Sequence, residues 1–294
     1  MLRTRLWMGA LLIVSLVVSL WVDELLGPPF PAGVPAYPCW LLIAVLGVFG
    51  ASRELCQLLA RREIQVPTRL ATSGVIAVVA ANWLPWLWGP GKHLDHLASA
   101  LSTVCVVNMV VFVWEGLRFR APGTAVTAIG GSLLITFYLG ALASFLVELR
   151  WLPHGLLALA THIAAVKSGD TGAYFGGRAL GRHKLCPWLS PNKTVEGAVV
   201  GLASSTLGAC LVVLAAAKLT GKPAVMSLLV SAGFGLLVGA LGMVGDLVES
   251  LIKRDCQQKD ASNIVPGFGG ILDVLDSPLF SAPLAYTLWF WLVP

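Results

Sequence analysis

Apolar runs of about 20 residues recur along the whole chain, and they limit what it can fold into more than any other feature. Their central parts, such as ALLIVSLVVSLWV (10–22) within 7–26 and GFGLLVGALGMVG (233–245) within 227–252, carry no charge at all. A run of that length matches the hydrocarbon thickness of a bilayer when it is helical. In lipid the backbone N–H and C=O groups have no water to bond, so a run must close its hydrogen bonds within itself as a helix. Nine such spans are expected, at roughly 7–26, 36–52, 70–88, 97–117, 125–147, 152–166, 194–217, 227–252 and 277–293. Composition agrees: only 12% of the residues are charged and the mean hydropathy is +0.81, against about 25% charged residues in soluble domains. The expected fold is an all-α polytopic membrane protein with about nine transmembrane helices. It reads as one integrated membrane domain, with about five spans in 1–150 and a C-terminal catalytic region in 151–294.

The basic residues give an orientation. With the N-terminus in the cytoplasm, the nine spans place sixteen of the twenty Lys and Arg on the cytoplasmic side. Only Lys92, Arg150, Lys218 and Lys222 fall on the other side. This is the asymmetry of the positive-inside rule, and it puts the C-terminus on the side opposite the N-terminus. The start MLRTRLWMGALLIVSLVVSLWVDELLG has the basic-then-apolar form of a secretory signal, but Val22-Asp23-Glu24 offers no small-residue cleavage site. A retained first helix is expected. The Pro/Gly cluster GPPFPAGVPAYP (27–38) reads as a turn-rich outer loop.

The formal net charge of +5 is accounted for by these loops, so no nucleic-acid partner is expected. The six Cys form no CxxC pair and the five His form no cluster; buried apolar roles suit the former.

Against this background, residues 246–277 stand apart. They hold nine charged residues of both signs, in a chain with 20 basic and 15 acidic residues altogether. Asp246, Glu249, Ser250 and Lys253 are spaced i, i+3, i+4 and i+7, which is one face of a helix. A carboxylate inside a span is expensive and faces a polar cavity. Lys253-Arg254 and Lys259-Asp260 follow, then Pro266-Gly267-Phe268-Gly269-Gly270, where adjacent glycines permit a close approach or a positive φ. Asp273, Asp276 and Ser277 come just before the last span. The small residues Ser231, Gly233, Gly235, Gly239, Gly242 and Gly245 of the preceding span favour close helix packing.

A second polar stretch runs from Lys167 to Lys193. Lys167, Asp170, Tyr174 and Arg178 are again helically spaced, and Ser190-Pro191-Asn192-Lys193-Thr194 reads as a helix start. Both charged loops, 167–193 and 253–276, are expected at the cytoplasmic face. Several Asp on separate segments suit Mg²⁺, a hard cation that takes oxygen ligands and bridges to phosphates. Lys, Arg and helix-start amides neutralise phosphate charge. Metal-assisted phosphoryl or nucleotidyl transfer at a membrane surface is the chemistry these parts fit.

The same residues resemble a known family. Ser250-Leu-Ile-Lys253-Arg254, then Lys259-Asp260, then Pro266-x-Phe268-Gly269-Gly270, then Asp273-x-x-Asp276 is similar to the C-terminal signature of the phosphatidate cytidylyltransferases, or CDP-diacylglycerol synthases. SPNKTVEG (190–197) resembles their SPKKTxEG segment, and Asp170-x-x-Ala173-Tyr174-x-x-Gly177-Arg178 is in the same style. The motifs span roughly residues 167–277, and the multi-span plan extends the likeness. Phe268 stands where the pattern has His, Val274 where it has Arg, and Val265 where it has Leu, Ile or Phe. A His base or an Arg clamp at those positions is therefore not carried over.

The resemblance implies the reaction of CTP with phosphatidate to give CDP-diacylglycerol and pyrophosphate. The positive-inside pattern, with no eukaryotic targeting feature, points to a bacterial inner membrane with the active site on the cytoplasmic face. The resemblance also implies Mg²⁺, with room for a second, monovalent or divalent, cation. Asp246 and Asp273 are the expected metal ligands, supported by Asp170, Asp260 and Asp276. Lys193, Lys253, Arg254 and Lys259 are expected on phosphates, and Ser190, Thr194, Glu196, Ser250, Arg178, Gly269 and Gly270 around the substrates. A homodimer is compatible with this reading. The residues leave open a CTP-dependent enzyme for another lipid, such as an archaeol-type phosphate or a polyprenol. A transporter would need inverted repeats and helices broken at mid-membrane, and neither is visible. An inactive relative is the reading that Phe268 and Val274 would favour.

Overall fold

The structure is a computed structural model that describes residues 2–26, 36–87, 95–120, 122–262, 264–265 and 269–293. Most of the expected outer loop 27–38 lies outside the described residues, as does Phe268. The helices are α1 (Leu2–Leu26), α2 (Pro38–Ala60), α3 (Thr68–Ala80), α4 (Leu84–Leu87), α5 (His96–Arg118), α6 (Ala125–Ile135), α7 (Leu142–Glu148), α8 (Gly155–Leu180), α9 (Val195–Thr220), α10 (Leu228–Asp255) and α11 (Leu272–Leu292). A short antiparallel hairpin, β1 (Lys184–Cys186) and β2 (Ser190–Thr194), connects α8 to α9.

Every expected span falls on a helix or a run of helices. Among the described residues six segments are long and apolar enough to cross a membrane: Trp7–Leu26, Pro38–Ala60, His96–Arg118, Ala125–Glu148, Val195–Thr220 and Leu228–Asp255. Their outer faces are apolar, as lipid requires; on α5, Val106, Met109, Phe112, Val113 and Leu117 are all exposed. The chain is an integral membrane protein. The three other expected spans take different forms. Of the expected span 70–88, residues 70–87 divide into α3, a turn of 3-10 helix (Ala81–Trp83) and α4, and residue 88 lies outside the described residues. Of residues 152–166, those from Gly155 are the start of α8, a helix of 26 residues that runs on through the charged stretch. Residues 277–292 of the last expected span belong to α11, which contains Pro278 and Pro283. The span 125–147 is one helical run whose middle, Thr136–Ala141, is π-helical.

Two sequence expectations are corrected. The polar stretch 167–193 is not a loop: Lys167, Asp170, Tyr174 and Arg178 are on α8, and the hairpin follows. The next helix does not start around Pro191. Ser190–Thr194 is a strand, and α9 begins at Val195 with Thr194 as its cap, its side chain accepting from the Gly197 amide at 3.1 Å. Proline fits there because a two-stranded hairpin has free edges.

The chain forms two compact units. One comprises Met1–Val147 with Gln258–Leu275, the other Glu148–Gln257 with Asp276–Pro294. In the first, α2 packs on α3 and α3 on α5, around buried Leu55, Leu58, Val75, Val78, Ile135 and Leu139. The buried Asp23 carboxylate accepts from the Cys39 and Trp40 amides at 2.9 and 2.8 Å, which satisfies the open N-terminus of α2.

In the second unit α9 packs between α8 and α10, and the approach is close because small residues line it. A Cβ at Gly201 would meet Ala173 Cβ at 2.9 Å and Gly169 O at 3.0 Å, and one at Gly235 would meet Ser205 O at 2.7 Å. Small residues let helix backbones approach in lipid, so the expected close packing holds at Gly235 and Gly239; Gly233 faces open space. The α11 residues of this unit are fixed by Trp289, which is fully buried, donates Nε1–H to Pro153 O at 3.0 Å and meets Phe234 edge to face.

Candidate active site

The site begins with α10. Ser227 caps it by accepting from the Val230 amide, and the helix then runs unbroken for 28 residues from the apolar GFGLLVGALGMVG segment into the charged one. That continuity keeps Asp246, Glu249, Ser250 and Lys253 on one face. Glu249 is 1% exposed, and its Oε2 accepts from Lys253 Nζ at 2.6 Å one turn on. Ser250 Oγ points at Asp246 Oδ1 at 3.5 Å.

A third carboxylate arrives from α11. Asp276 is buried, with Oδ1 accepting from the following Ser277 amide at 2.6 Å. One oxygen each from Asp246, Glu249 and Asp276 can be chosen so that all lie within 4.8 Å of one another. β2 adds a cation: Lys193 Nζ is 2.8 Å from Asp246 Oδ2. On α8, Lys167 Nζ pairs with Asp170 Oδ2 at 3.1 Å and also lies in the field of Asp276 and Asp246. The set thus holds four carboxylates and three lysines. Two unit charges 4.8 Å apart repel by about 3–4 kcal/mol at an effective dielectric constant of about 20, so three grouped carboxylates call for a cation or a shared proton among them. An all-oxygen donor set of this kind fits a hard divalent ion such as Mg²⁺.

The other expected site residues divide as follows. Arg254 Nε donates to Leu189 O at 3.3 Å, tying the hairpin to the end of α10. Glu196, in the first turn of α9, accepts from the Arg182 amide at 3.0 Å and from His183 Nδ1 at 2.6 Å, tying the hairpin to α9. Thr194 is the cap already described, Ser190 opens β2, and Arg178 is in the last turn of α8. In the unit containing Gln258–Leu275, Asp273 Oδ2 accepts from the Gly270 amide at 2.7 Å and the Ala261 amide at 3.1 Å. Lys259 and Asp260 are exposed just before that turn. Gly269 has φ +107°, the conformation expected of such a glycine.

The family model whose description is "Cytidylyltransferase family" matches residues 3–292. The chain belongs to this family. Among its relatives, the phosphatidate cytidylyltransferase of Bacillus subtilis (strain 168) is 40% identical over 253 residues, covering 85% of this chain and 88% of that one. That of Synechocystis sp. is 35% identical over 209 residues, covering 60% and 68%. That of Staphylococcus aureus (strain COL) is 33% identical over 234 residues, covering 80% and 83%. The resemblance carried by the 246–277 signature therefore extends to nearly the whole of this cytidylyltransferase.

Two acidic residues of this cytidylyltransferase acquire weight only from the structure. Glu249 was visible on the polar face of α10, but nothing in the sequence separates a metal-type carboxylate from the partner of Lys253. Glu54 follows Arg53 at the end of an apolar span, where an Arg-Glu pair reads as a helix end reaching water. The structure instead buries Glu54 to 1% exposure.

Proposed function

We propose that this cytidylyltransferase moves the CMP moiety of CTP onto phosphatidate, giving CDP-diacylglycerol and pyrophosphate. The observation that carries the reading is the Asp246–Glu249–Asp276 group, bonded to Lys193 and Lys253 at the charged end of an apolar helix. In the reaction a phosphate oxygen of the lipid attacks the α-phosphorus of CTP. The bond from that phosphorus to the oxygen bridging to the β-phosphate breaks, and pyrophosphate leaves with the electron pair. The lipid phosphate is already an anion at neutral pH, so the reaction needs no strong base, in keeping with Phe268 where the family pattern has His.

The difficulty is bringing two polyanions together. Asp246, Glu249 and Asp276 would hold Mg²⁺, which when bound supplies positive charge to the triphosphate. Lys193, ion-paired with Asp246, and Lys253, hydrogen-bonded to Glu249, place two ammonium groups where phosphate charge accumulates. The hairpin, tied to α10 through Arg254 and to α9 through Glu196, fixes Lys193 against Asp246 and so limits the motion that orientation must overcome. The excess of Lys and Arg on one side of the spans supports a cytoplasmic active site and a bacterial inner membrane.

The test is transfer of label from α-³²P-CTP into lipid, with purified protein in phosphatidate micelles. The reading predicts labelled lipid that grows with phosphatidate and is not reduced by an excess of polyprenyl phosphate. Label that goes preferentially to the polyprenyl phosphate would assign a different acceptor.

A further inference from the structure

Glu54 is a buried carboxylate outside the site described above. Glu54 lies near the end of α2, and its two oxygens collect three donors from a single segment more than 200 positions further along. Ser262 Oγ donates to Oε1 at 2.6 Å and the Ile271 amide to the same oxygen at 3.0 Å; the Leu272 amide donates to Oε2 at 2.8 Å. Ser262 Oγ in turn accepts from the Ile264 amide at 3.2 Å. Glu54 therefore bonds Ser262 on one side and Ile271 and Leu272, at the start of α11, on the other.

Two features mark this as more than a helix cap. The amides at the start of α11 need acceptors, and a local Ser, Asn or Asp would supply one at no cost in buried charge. The chain uses instead a carboxylate from another helix, whose burial costs several kcal/mol unless it is fully bonded. The second feature is the Gly-Gly pair. A Cβ at Gly270 would come 2.5 Å from Glu54 Oε2, and a Cβ at Gly269 would come 2.7 Å from Asp273 Oδ2. What these glycines approach closely is two carboxylates of the chain itself. Glu54, Gly270 and Asp273 thus form one interlocked seat, with Lys259-Asp260 directly before it in the chain.

We propose that Glu54 is a positioning residue for cytidylyl transfer, acting through Ser262, Gly270 and the start of α11 that it holds in place. The proposal rests on the functional reading given above. It is tested by pyrophosphate release with CTP and phosphatidate varied separately, for Glu54→Gln, Gly270→Ala and the double variant. Each single substitution is expected to lower kcat about tenfold or more while the KM for phosphatidate stays within about twofold, since misplacement of reacting groups costs rate rather than lipid binding. The double variant is expected to be no worse than the poorer single one, because both break the same contact. Hydrogen exchange should show the Ile271 and Leu272 amides losing protection in either single variant.

Wild-type kcat and KM in Glu54→Gln would overturn the proposal. So would losses that multiply in the double variant, which would mean that Gly270 acts on substrate independently of Glu54. So would activity that falls only with the amount of folded protein, its kinetic constants unchanged. No pyrophosphate release by the wild type would overturn the reading of the reaction and this proposal with it, whereas wild-type release with unaffected variants overturns this proposal alone.

Discussion

At the scale of single residues, the account depends on three grouped carboxylates, of which Glu249 and Asp276 are buried and Asp246 is partly exposed. Asp246→Asn keeps the shape of the side chain and removes its charge. It is expected to lower pyrophosphate release about 100-fold, which corresponds to about 3 kcal/mol of transition-state stabilisation, and to raise the Mg²⁺ concentration needed for half-maximal rate. Unchanged activity with unchanged Mg²⁺ dependence would remove Asp246 from the ligand set. Glu249→Gln is expected to give the same pair of effects, measured in the same titration. If Glu249 were only the partner of Lys253, its loss would lower stability and leave the Mg²⁺ response alone. The sequence showed Asp246, Ser250, Lys253 and Asp276 because their spacing on α10 and before the last span is a local property. It did not show that Asp273 bonds to the Gly270 and Ala261 amides, since a carboxylate's acceptor role depends on a turn whose backbone path no spacing rule gives.

At the scale of elements, apolar length was enough to find the helices and not enough to find their ends. α10 and α9 lie where the runs of Leu, Val, Ala and Gly placed them. The error at Ser190-Pro191 has a physical cause. Proline suits a helix's first turn and a hairpin's open edge equally well, and only pairing with Lys184–Cys186, which is not local, decides between them. The true cap is testable: Thr194→Ala is expected to destabilise the protein by about 1 kcal/mol, read as a lower midpoint of thermal unfolding in detergent, while Ser190→Ala should leave that midpoint in place. Close packing is testable at Gly201, where a valine side chain would meet Ala173 and the Gly169 carbonyl. Gly201→Val is expected to cost about 1–3 kcal/mol by overpacking. An unchanged midpoint would mean that α8 and α9 are not in tight contact there.

At the scale of the whole molecule, long apolar helices with apolar outer faces make this an integral membrane protein, and the match from residue 3 to 292 makes it a member of the cytidylyltransferase family. Six of the helical segments have the length and hydropathy to span a bilayer; α8 and α11 do not read as plain spans because they carry the charged and proline-containing portions. The proposed topology predicts that an impermeant thiol reagent labels His183→Cys only from the cytoplasmic side and Lys222→Cys only from the other. Labelling of both from one side would contradict the arrangement of the spans around α9. The central claim, that these charges serve nucleotidyl transfer to a lipid phosphate, is tested most directly by measuring pyrophosphate released from CTP by the purified protein in phosphatidate micelles, with and without Mg²⁺. The account predicts release that requires both the lipid and the metal. Release that proceeds without phosphatidate or without Mg²⁺, or no release from folded protein that binds CTP, would contradict it.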